Sequence, residues 1–438
     1  MNMQKIPVCY LISIGLFLSV ITACTPVEEI TPTLNTAPED TLPVAVRATS
    51  TAMVVTEPED TITGEIRILY SWSADKTDLL LQVLEEFKAQ HPAVRISLAY
   101  YTPDTLKQGF ISAVENGQPP TLIIAPSTLG QELYNAGWIL DVENRLPESF
   151  RDQIYPLLWS QISYDQNVIG VPLEQKGIVL IRNRRMVPAK ADTVEGLKQA
   201  AFQINDGPVV GAALDFEFIN MASFLSACNG QLASAYNKPA FSGPEGECWA
   251  DIMWQFACTG WNTQGTDDDL NLFLEGRSAW LIDGTWKLKE LSETVGENWV
   301  TVDSWPTYAA TGKRLAGFVW TENAYLVNGL SPADDEASWA FIEFLISVEI
   351  QNTIVSLLGT SQIPAYQYVA LNNLLLRQVV FALERSVPLP LEIDLELYQQ
   401  ALEPEIMDIL QGGDPGSALL RAETTILNSL QAIPAGEE

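Results

Sequence analysis

The sequence predicts an α/β protein built on a mostly parallel sheet wrapped by helices, and three observations carry that expectation. Apolar runs of strand length alternate with segments whose apolar residues recur at helical spacing. At 438 residues the chain exceeds what one hydrophobic core comfortably serves, so two lobes are expected. Hydrophobic residues make up 47% of it, enough for a folded body.

The elements follow from Gly64 onward. "EIRILYSW" has the apolar character of a strand, and "TDLLLQVLEEFKAQHP" sets Leu79, Leu80, Val83, Leu84 and Phe87 on one helical face. Pro92 ends that helix, which leaves His91 at its exit in a structural role, and "AVRISLAY" opens a second strand. "TLKQGFISAVENG" reads as a helix, "PTLIIAP" as a buried strand and "TLGQELYNAGW" as the next helix. Strand, helix, strand, helix, strand implies parallel pairing, and ligands of such sheets collect at the carboxyl ends of the strands. "YDQNVIGVPLEQKGIVLIRNRRMV" reads as two or three short strands. Further helices are expected over 216–228, 244–258, 285–294, 334–346, 348–357 and 395–411. Gly412 and Gly413 stop the penultimate one, "DPGSALLRAETTILNSLQ" makes the last, and there is no short internal repeat.

Charge narrows the function. Lys plus Arg number 24 against 55 Asp plus Glu, and the net charge of −31 argues against binding nucleic acid by neutralising phosphates. His91 is the only histidine, so a Ser-His-Asp catalyst or a histidine zinc site is hard to build, and no cofactor or metal is expected.

The amino terminus carries Lys5 and then an apolar run from Ile6 to Val20, short for a membrane span and suited to a secretory signal. It closes on "ITAC", Ile21 to Cys24, which resembles the lipobox of bacterial lipoproteins. Residues 1–23 are thus expected to be a signal peptide and Cys24 the lipidated first residue of an extracytoplasmic protein held at the cell membrane. Residues 24–62, rich in Thr, Pro and acid, read as a disordered tether. With Cys9 and Cys24 set aside, Cys228, Cys248 and Cys258 remain. Cys248 and Cys258 share one helical segment whose rise separates them by about 15 Å, whereas a disulfide needs α-carbons within about 7 Å. Cys228 with either partner, or free thiols, stays open.

Several ordered pieces together resemble the family 1 extracellular solute-binding proteins, the sugar receptors of bacterial ABC importers. They are the strand before "LLQVLEEFKAQHPAVRI", then "QPPTLIIAPSTLGQELYNAGWILDV" leading through "YPLLW", then "NVIGVPLEQKGIVLIRNRRMV", "FLEGRSAWLIDGTW", "WAFIEFLIS" and "GTSQIPAY". The resemblance implies a two-lobed fold of the periplasmic-binding-protein type II kind, with discontinuous lobes joined by hinge strands and a ligand caught in the cleft. The lobes are expected at 63–173 with about 303–347, and at about 174–302 with 348–438. It also implies separate permease and ATPase chains as partners, a carbohydrate as solute and a monomeric receptor. This chain carries no P-loop of its own.

A sugar cleft needs an aromatic ring against the apolar face of a pyranose and polar side chains for its hydroxyls. At the end of the first strand Trp72 and Asp75 are expected to face the cleft, with Tyr70 shared between core and site. Ser127 and Thr128 follow the third strand at a helix start, where backbone donors are free. Maltodextrin receptors of the family carry an aromatic and a carboxylate around this turn, and here Ala125, Pro126, Ser127 and Thr128 stand instead. The resemblance puts Lys176 of "VPLEQKG" at the cleft beside Glu174 and Gln175, and Glu217 of "LDFEFIN" near a ligand carboxylate, with Asn220 one turn on. In "SAWLIDGTW" strand alternation assigns Trp280 to packing, while Trp286, beyond the Asp283-Gly284 turn, matches the family's ligand-stacking tryptophan. Trp320 and Glu322 of "GFVWTENAY" and Tyr398 of "LELYQQAL" complete the set.

The expected function is therefore reversible capture of a sugar or oligosaccharide, without catalysis. Three alternatives remain: the same fold holding a polyamine or other cationic solute, a sensor that signals to a membrane protein, and a glycoside hydrolase. The last lacks any motif that pairs two carboxylates.

Overall fold

A computed structural model describes residues 62–234 and 238–432. The expected signal peptide, lipidated Cys24 and tether lie outside the described residues, apart from Ile62 at the tether's end.

The opening alternation is β1 (Gly64–Tyr70), α1 (Ala74–Gln90), β2 (Val94–Tyr100), α2 (Pro103–Glu115), β3 (Leu122–Pro126) and α3 (Ser127–Asn135). β1 lies between β2 and β3, parallel to both. Alternation decides which side each residue serves. Ile66, Ile68 and Ile124 enter a core with Phe87 of α1, whereas Leu69 and Ile123 face a second core with Phe110 of α2. His91 closes α1 with its ring 4.6 Å from that of Phe87.

A single turn α4 (Phe150–Gln153) and the short pair β4 (Ser163–Tyr164) and β5 (Asn167–Val168) lead into β6 (Val171–Asn183). Here the structure corrects the sequence reading: the stretch expected to split into short strands ends in one continuous strand of 13 residues. Its length has a consequence for architecture. Val171 to Gly177 pair antiparallel with β13 (Phe318–Leu326) along one edge, and from Ile178 onward the strand pairs antiparallel with β9 (Ser278–Gly284) along the other. Gly177 sits at the exchange, where a β-carbon would meet the Phe318 carbonyl oxygen and a Leu383 methyl at 2.5 Å. A side chain there would force the strands apart.

The second unit comprises α5 (Val194–Ile204), β7 (Val210–Asp215), α6 (Phe218–Met221), α7 (Pro244–Ala257), β8 (Gly260–Thr263), α8 (Asp268–Leu274), β9 and α9 (Leu288–Leu291). β7 is parallel to both β8 and β9, so the carboxyl ends of all three emerge on one side. Ile178 and Leu180 of β6 join its core with Phe216, Trp249, Phe256 and Trp280, while Val179 and Ile181 face the first. The chain then returns through β10 (Val300–Asp303), which pairs with β6, the hairpin of β11 (Thr307–Tyr308) and β12 (Lys313–Arg314), and β13. β13 lies antiparallel between β3 and β6 and so links the two units, giving the strand order β2-β1-β3-β13-β6-β9-β7-β8. α10 (Pro332–Leu345), α11 (Val348–Leu358), α12 (Leu374–Leu383), the short β14 (Val387–Pro388), α13 (Leu395–Leu410) and α14 (Pro415–Ala432) complete the chain.

Two expected helices are broken. Residues 216–228 form α6 and then a 3-10 segment, Ala222–Cys228. Nearly every side chain of that segment is buried, which an amphipathic α-helix with one apolar stripe would not allow. Residues 285–294 form a 3-10 turn, Thr285–Lys287, then α9 and a π-turn, Ser292–Gly296. Of the open cysteine pairings, Cys228 and Cys248 form a disulfide, with α-carbons 5.9 Å apart.

Candidate functional site

β6 and β13 present one polar face. Trp320 lies directly opposite Lys176 and Glu322 opposite Glu174, so the two-residue period puts all four side chains on the same side. The buried Gln175 and Thr321 point the other way. Lys176 Nζ donates to Glu322 Oε2 at 2.6 Å and lies 3.5 Å from Glu174 Oε1. Lys76 of α1 donates to both oxygens of Glu174, at 2.7 and 2.5 Å. Two ammonium groups thus neutralise two nearly inaccessible carboxylates. Burial works against the Lys176 charge, yet Glu322 and Glu174 hold its affinity for the proton above that of an ordinary lysine. A β-bulge between Glu322 and Asn323 marks the place where β13 passes this network.

Trp286 closes one end of that face. Its ring lies over Gly284, where a β-carbon would come within 2.1 Å of the indole, so only glycine admits this pose. The ring centroids of Trp286 and Trp320 are 5.6 Å apart at 54°. Trp286 is 47% exposed, so much of its surface has no protein neighbour.

Beyond the tryptophans, the carboxyl ends of β7, β8 and β9 gather acids. Asp215 ends β7 and is caged by donors: the Glu217, Gly265 and Thr266 amides and the Thr263 hydroxyl, at 2.9 to 3.2 Å. Asp269 accepts from the Asp215 and Leu270 amides. Those two build the site. Glu217 and Asp283 are half-buried. Among the described residues no hydrogen bond occupies the Glu217 carboxyl, and Asp283 accepts one, from the Gly284 amide at 2.6 Å. Burial, reinforced by Asp215, Glu403, Asp283 and Asp267, pushes Glu217 up to about 7. Burial likewise lifts Asp283 to about 6, against the opposing pull of the Gly284 amide and Lys287. Asp269 rises to about 7 by burial, with its backbone donors opposing and Asp215 and Asp283 adding to the rise. Near neutral pH, carboxyls so placed both donate and accept hydrogen bonds, the combination that hydroxyl groups require.

On the far side, Lys289 of α9 donates to Asp75 Oδ2 at 2.9 Å, and Ser73 donates to Asp75 Oδ1 at 2.5 Å. Burial disfavours the Asp75 charge, but these donors and the Lys76 amide prevail and hold it at about 2.

A family model, bacterial extracellular solute-binding protein, matches residues 82–375, more than half of the chain. The chain belongs to the bacterial extracellular solute-binding proteins. Among relatives of this solute-binding protein, a maltotriose-binding protein of Pyrococcus abyssi is 22% identical over 243 residues, 52% of this chain and 51% of that protein. The chain thus spans about half the length of that curated relative. Among solved structures, a cyclo/maltodextrin-binding protein complexed with maltotetraose superposes with a TM-score of 0.75 at 17% identity, over 86% of this chain and 100% of the other. The cyclic α-maltosyl-1,6-maltose binding protein of Arthrobacter globiformis gives 0.72 at 17%, over 84% and 99%. These likenesses establish the two-domain solute-binding fold.

Within this solute-binding protein the structure brings Lys176, Glu217, Trp286, Trp320 and Glu322 into one region, and Asp75 borders it, bonded to Lys289 and adjacent to the Lys76 that holds Glu174. Thr128 is exposed on the first turn of α3, and Ser127 is not. Three expectations are corrected. Trp72 is packed among Leu79, Leu80, Val83, Leu345 and Ile354, because α11 folds over the residues that follow β1. Ser127 is buried and donates to Gln161 Oε1 at 2.9 Å, so its hydroxyl serves the scaffold. Tyr398 lies on the inward stripe of α13 with Ala401 and Leu402, edge-on to Phe241 at 6.1 Å. Asn220 is also internal, donating to the Asp215 carbonyl at 3.4 Å. Trp280 is fully buried in the second core, as its place in the strand predicts.

The sequence reading missed Lys76, Asp215, Asp269, Asp283 and Lys289. A signal for the acids was present: Asp215 and Asp283 each stand at the carboxyl end of a strand-like run, where parallel sheets place ligands.

Proposed function

We propose that this protein captures a sugar or oligosaccharide in a cleft between two lobes and delivers it to an ABC importer formed by separate permease and ATPase chains. The observation that carries the reading is the half-exposed Trp286 ring, set against Trp320 and flanked by the Lys176–Glu322 pair and the Glu217 and Asp283 carboxyls. An aromatic face bordered by groups that can donate and accept is what a pyranose demands. The relatives that bind maltotriose and maltodextrins point the same way.

In this reading the chain lies outside the cytoplasm, acts as a monomer and is held at the membrane by lipid on Cys24, with 24–62 as its tether. Its lobes are 63–173 with about 303–347, and about 174–302 with 348–438, hinged where β6 exchanges β13 for β9. Binding closes the lobes around the solute and breaks no bond. Closure excludes water, so each solute hydroxyl left unpaired costs about 1 to 3 kcal/mol, which is the source of selectivity.

One specific observation favours a second solute class. The acids around Asp215, Glu217, Asp267 and Asp283 would also hold an amine, so a cationic solute is the alternative. Thermal unfolding of the folded body with mono- and oligosaccharides and with spermidine separates the two, because a ligand of the native state raises the midpoint. A rise with an oligosaccharide is expected. A rise with spermidine and with no sugar would overturn the carbohydrate reading.

A further inference from the structure

Away from the candidate site, the last residues of β6, the loop after it, β10 and α12 line a groove of about 520 Å³. It opens near Arg182, roughly 20 Å along the strand from Lys176. Arg182, Arg184, Lys190 and Arg377 line it against a single carboxylate, Asp303. In a chain with 24 cations and 55 acids this is a local reversal of charge.

The carboxylate is already spent. Arg182 Nε and Nη2 donate to the two Asp303 oxygens at 2.7 and 2.9 Å, and its Nη1 donates to the Val187 and Pro188 carbonyls at 2.6 and 2.9 Å. That buried fork builds the floor, and the charge of Arg184, Lys190 and Arg377 is left over. The ion pair of Lys190 is with Asp192, which is 79% exposed, so solvent screens it. Arg377 donates to the Leu371 carbonyl at 3.2 Å and meets no carboxylate among the described residues. Gln378 Oε1 accepts from Thr301 Oγ1 and the Val302 amide, which turns its amide hydrogens away from β10.

The rim has its own character. Phe381, which lines the groove, is 47% exposed with the Arg385 guanidinium 3.6 Å from its ring centroid. Arginine and aromatic side chains are what protein interfaces enrich. The groove is open, whereas a small solute is largely enclosed by its site, and its concavity suits an inserted chain better than a flat lipid surface.

We propose that this groove docks an acidic, extended segment of a partner protein, its carboxylates on Arg184, Arg377 and Lys190 and an apolar side chain against Phe381. The docking is independent of which solute the cleft holds.

The test is binding of fluorescein-labelled hexaglutamate to the full chain by anisotropy, with anionic phosphatidylglycerol vesicles as the comparison. Saturable binding is expected, weakening at least about tenfold between roughly 50 and 300 mM salt as screening sets in. The double variant Arg184→Gln/Arg377→Gln should lose at least about tenfold in affinity with an unchanged unfolding midpoint and unchanged solute binding. No saturable binding, equal binding by the double variant, or capture by vesicles but not by hexaglutamate would each overturn the proposal. None of these outcomes bears on the sugar reading, since the groove and the cleft share no residue.

Discussion

Lys289 Nζ lies 2.9 Å from Asp75 Oδ2, joining α9 of the second α/β unit to the first turn of α1 in the first. Under the two-lobe reading this pair spans the cleft and favours the closed form. Both side chains are partly exposed, at 44% and 31%, so the pair is worth no more than about 1 kcal/mol. Lys289→Ala is expected to weaken solute binding by roughly two- to fivefold, which calorimetric titration would measure. The difference from wild type should shrink at high salt. An undiminished difference would mean that the pair does not act by charge.

Trp286→Ala should remove the exposed ring and leave the fold intact, because about half of that side chain touches no protein atom. Solute affinity is expected to fall about tenfold or more, with an unfolding midpoint within about 1 °C of wild type. Trp280→Ala should do the reverse: its side chain is fully buried, and its loss costs about 3–5 kcal/mol of stability. Unchanged affinity in Trp286→Ala would remove stacking from the account.

The contrast between these two tryptophans was legible in the sequence, since alternation along β9 and the Asp-Gly turn separate them without any long-range information. The start of the fold was legible for the same reason, as α1 and β3 carry their own periodicity. Trp72 was not, because it is covered by Leu345 and Ile354, which enter the chain far later. Ser127 looked like a free helix-start hydroxyl because its partner, Gln161, is 34 residues away. Tyr398 was readable in principle: with Ala401 and Leu402 it makes the i, i+3, i+4 stripe of a packed helix face. The continuity of β6 was hidden by the polar "EQK" in its middle, whose partners come from elsewhere in the chain: Lys76 for Glu174, the Pro364 carbonyl for Gln175 and Glu322 for Lys176.

Lys176→Ala should destabilise the protein substantially, by about 3–5 kcal/mol, because it leaves the nearly inaccessible Glu322 carboxylate without its counter-ion. Glu174 keeps Lys76, which limits the damage to one acid. Lys176→Met combined with Glu322→Leu should recover most of the loss, since an apolar pair replaces the ion pair without an orphaned charge. Urea denaturation of the single and double variants measures both. A double variant no more stable than the single would show that packing, and not the unpaired charge, sets the cost.

The acids at the strand ends make a prediction about pH. Glu217, Asp269 and Asp283 lie at about 7, 7 and 6 in the folded chain, above the value of about 4 for an unfolded carboxyl. Between those limits the folded state binds more protons than the unfolded one, so their contribution to stability falls as pH rises from about 4 to about 7. Asp75 has the opposite sign, because its value of about 2 is below the unfolded one: its contribution is present above about pH 4 and is lost as pH falls toward 2, outside this window. The solute-free protein should therefore melt at a higher temperature at pH 5 than at pH 7.5. The net charge of −31 pushes in the same direction through self-repulsion, so the variants decide the cause. Glu217→Gln combined with Asp283→Asn should flatten the slope of melting temperature against pH by a clear fraction while raising the midpoint at pH 7.5. If the slope is unaltered, general charge repulsion rather than these carboxyls governs the pH response.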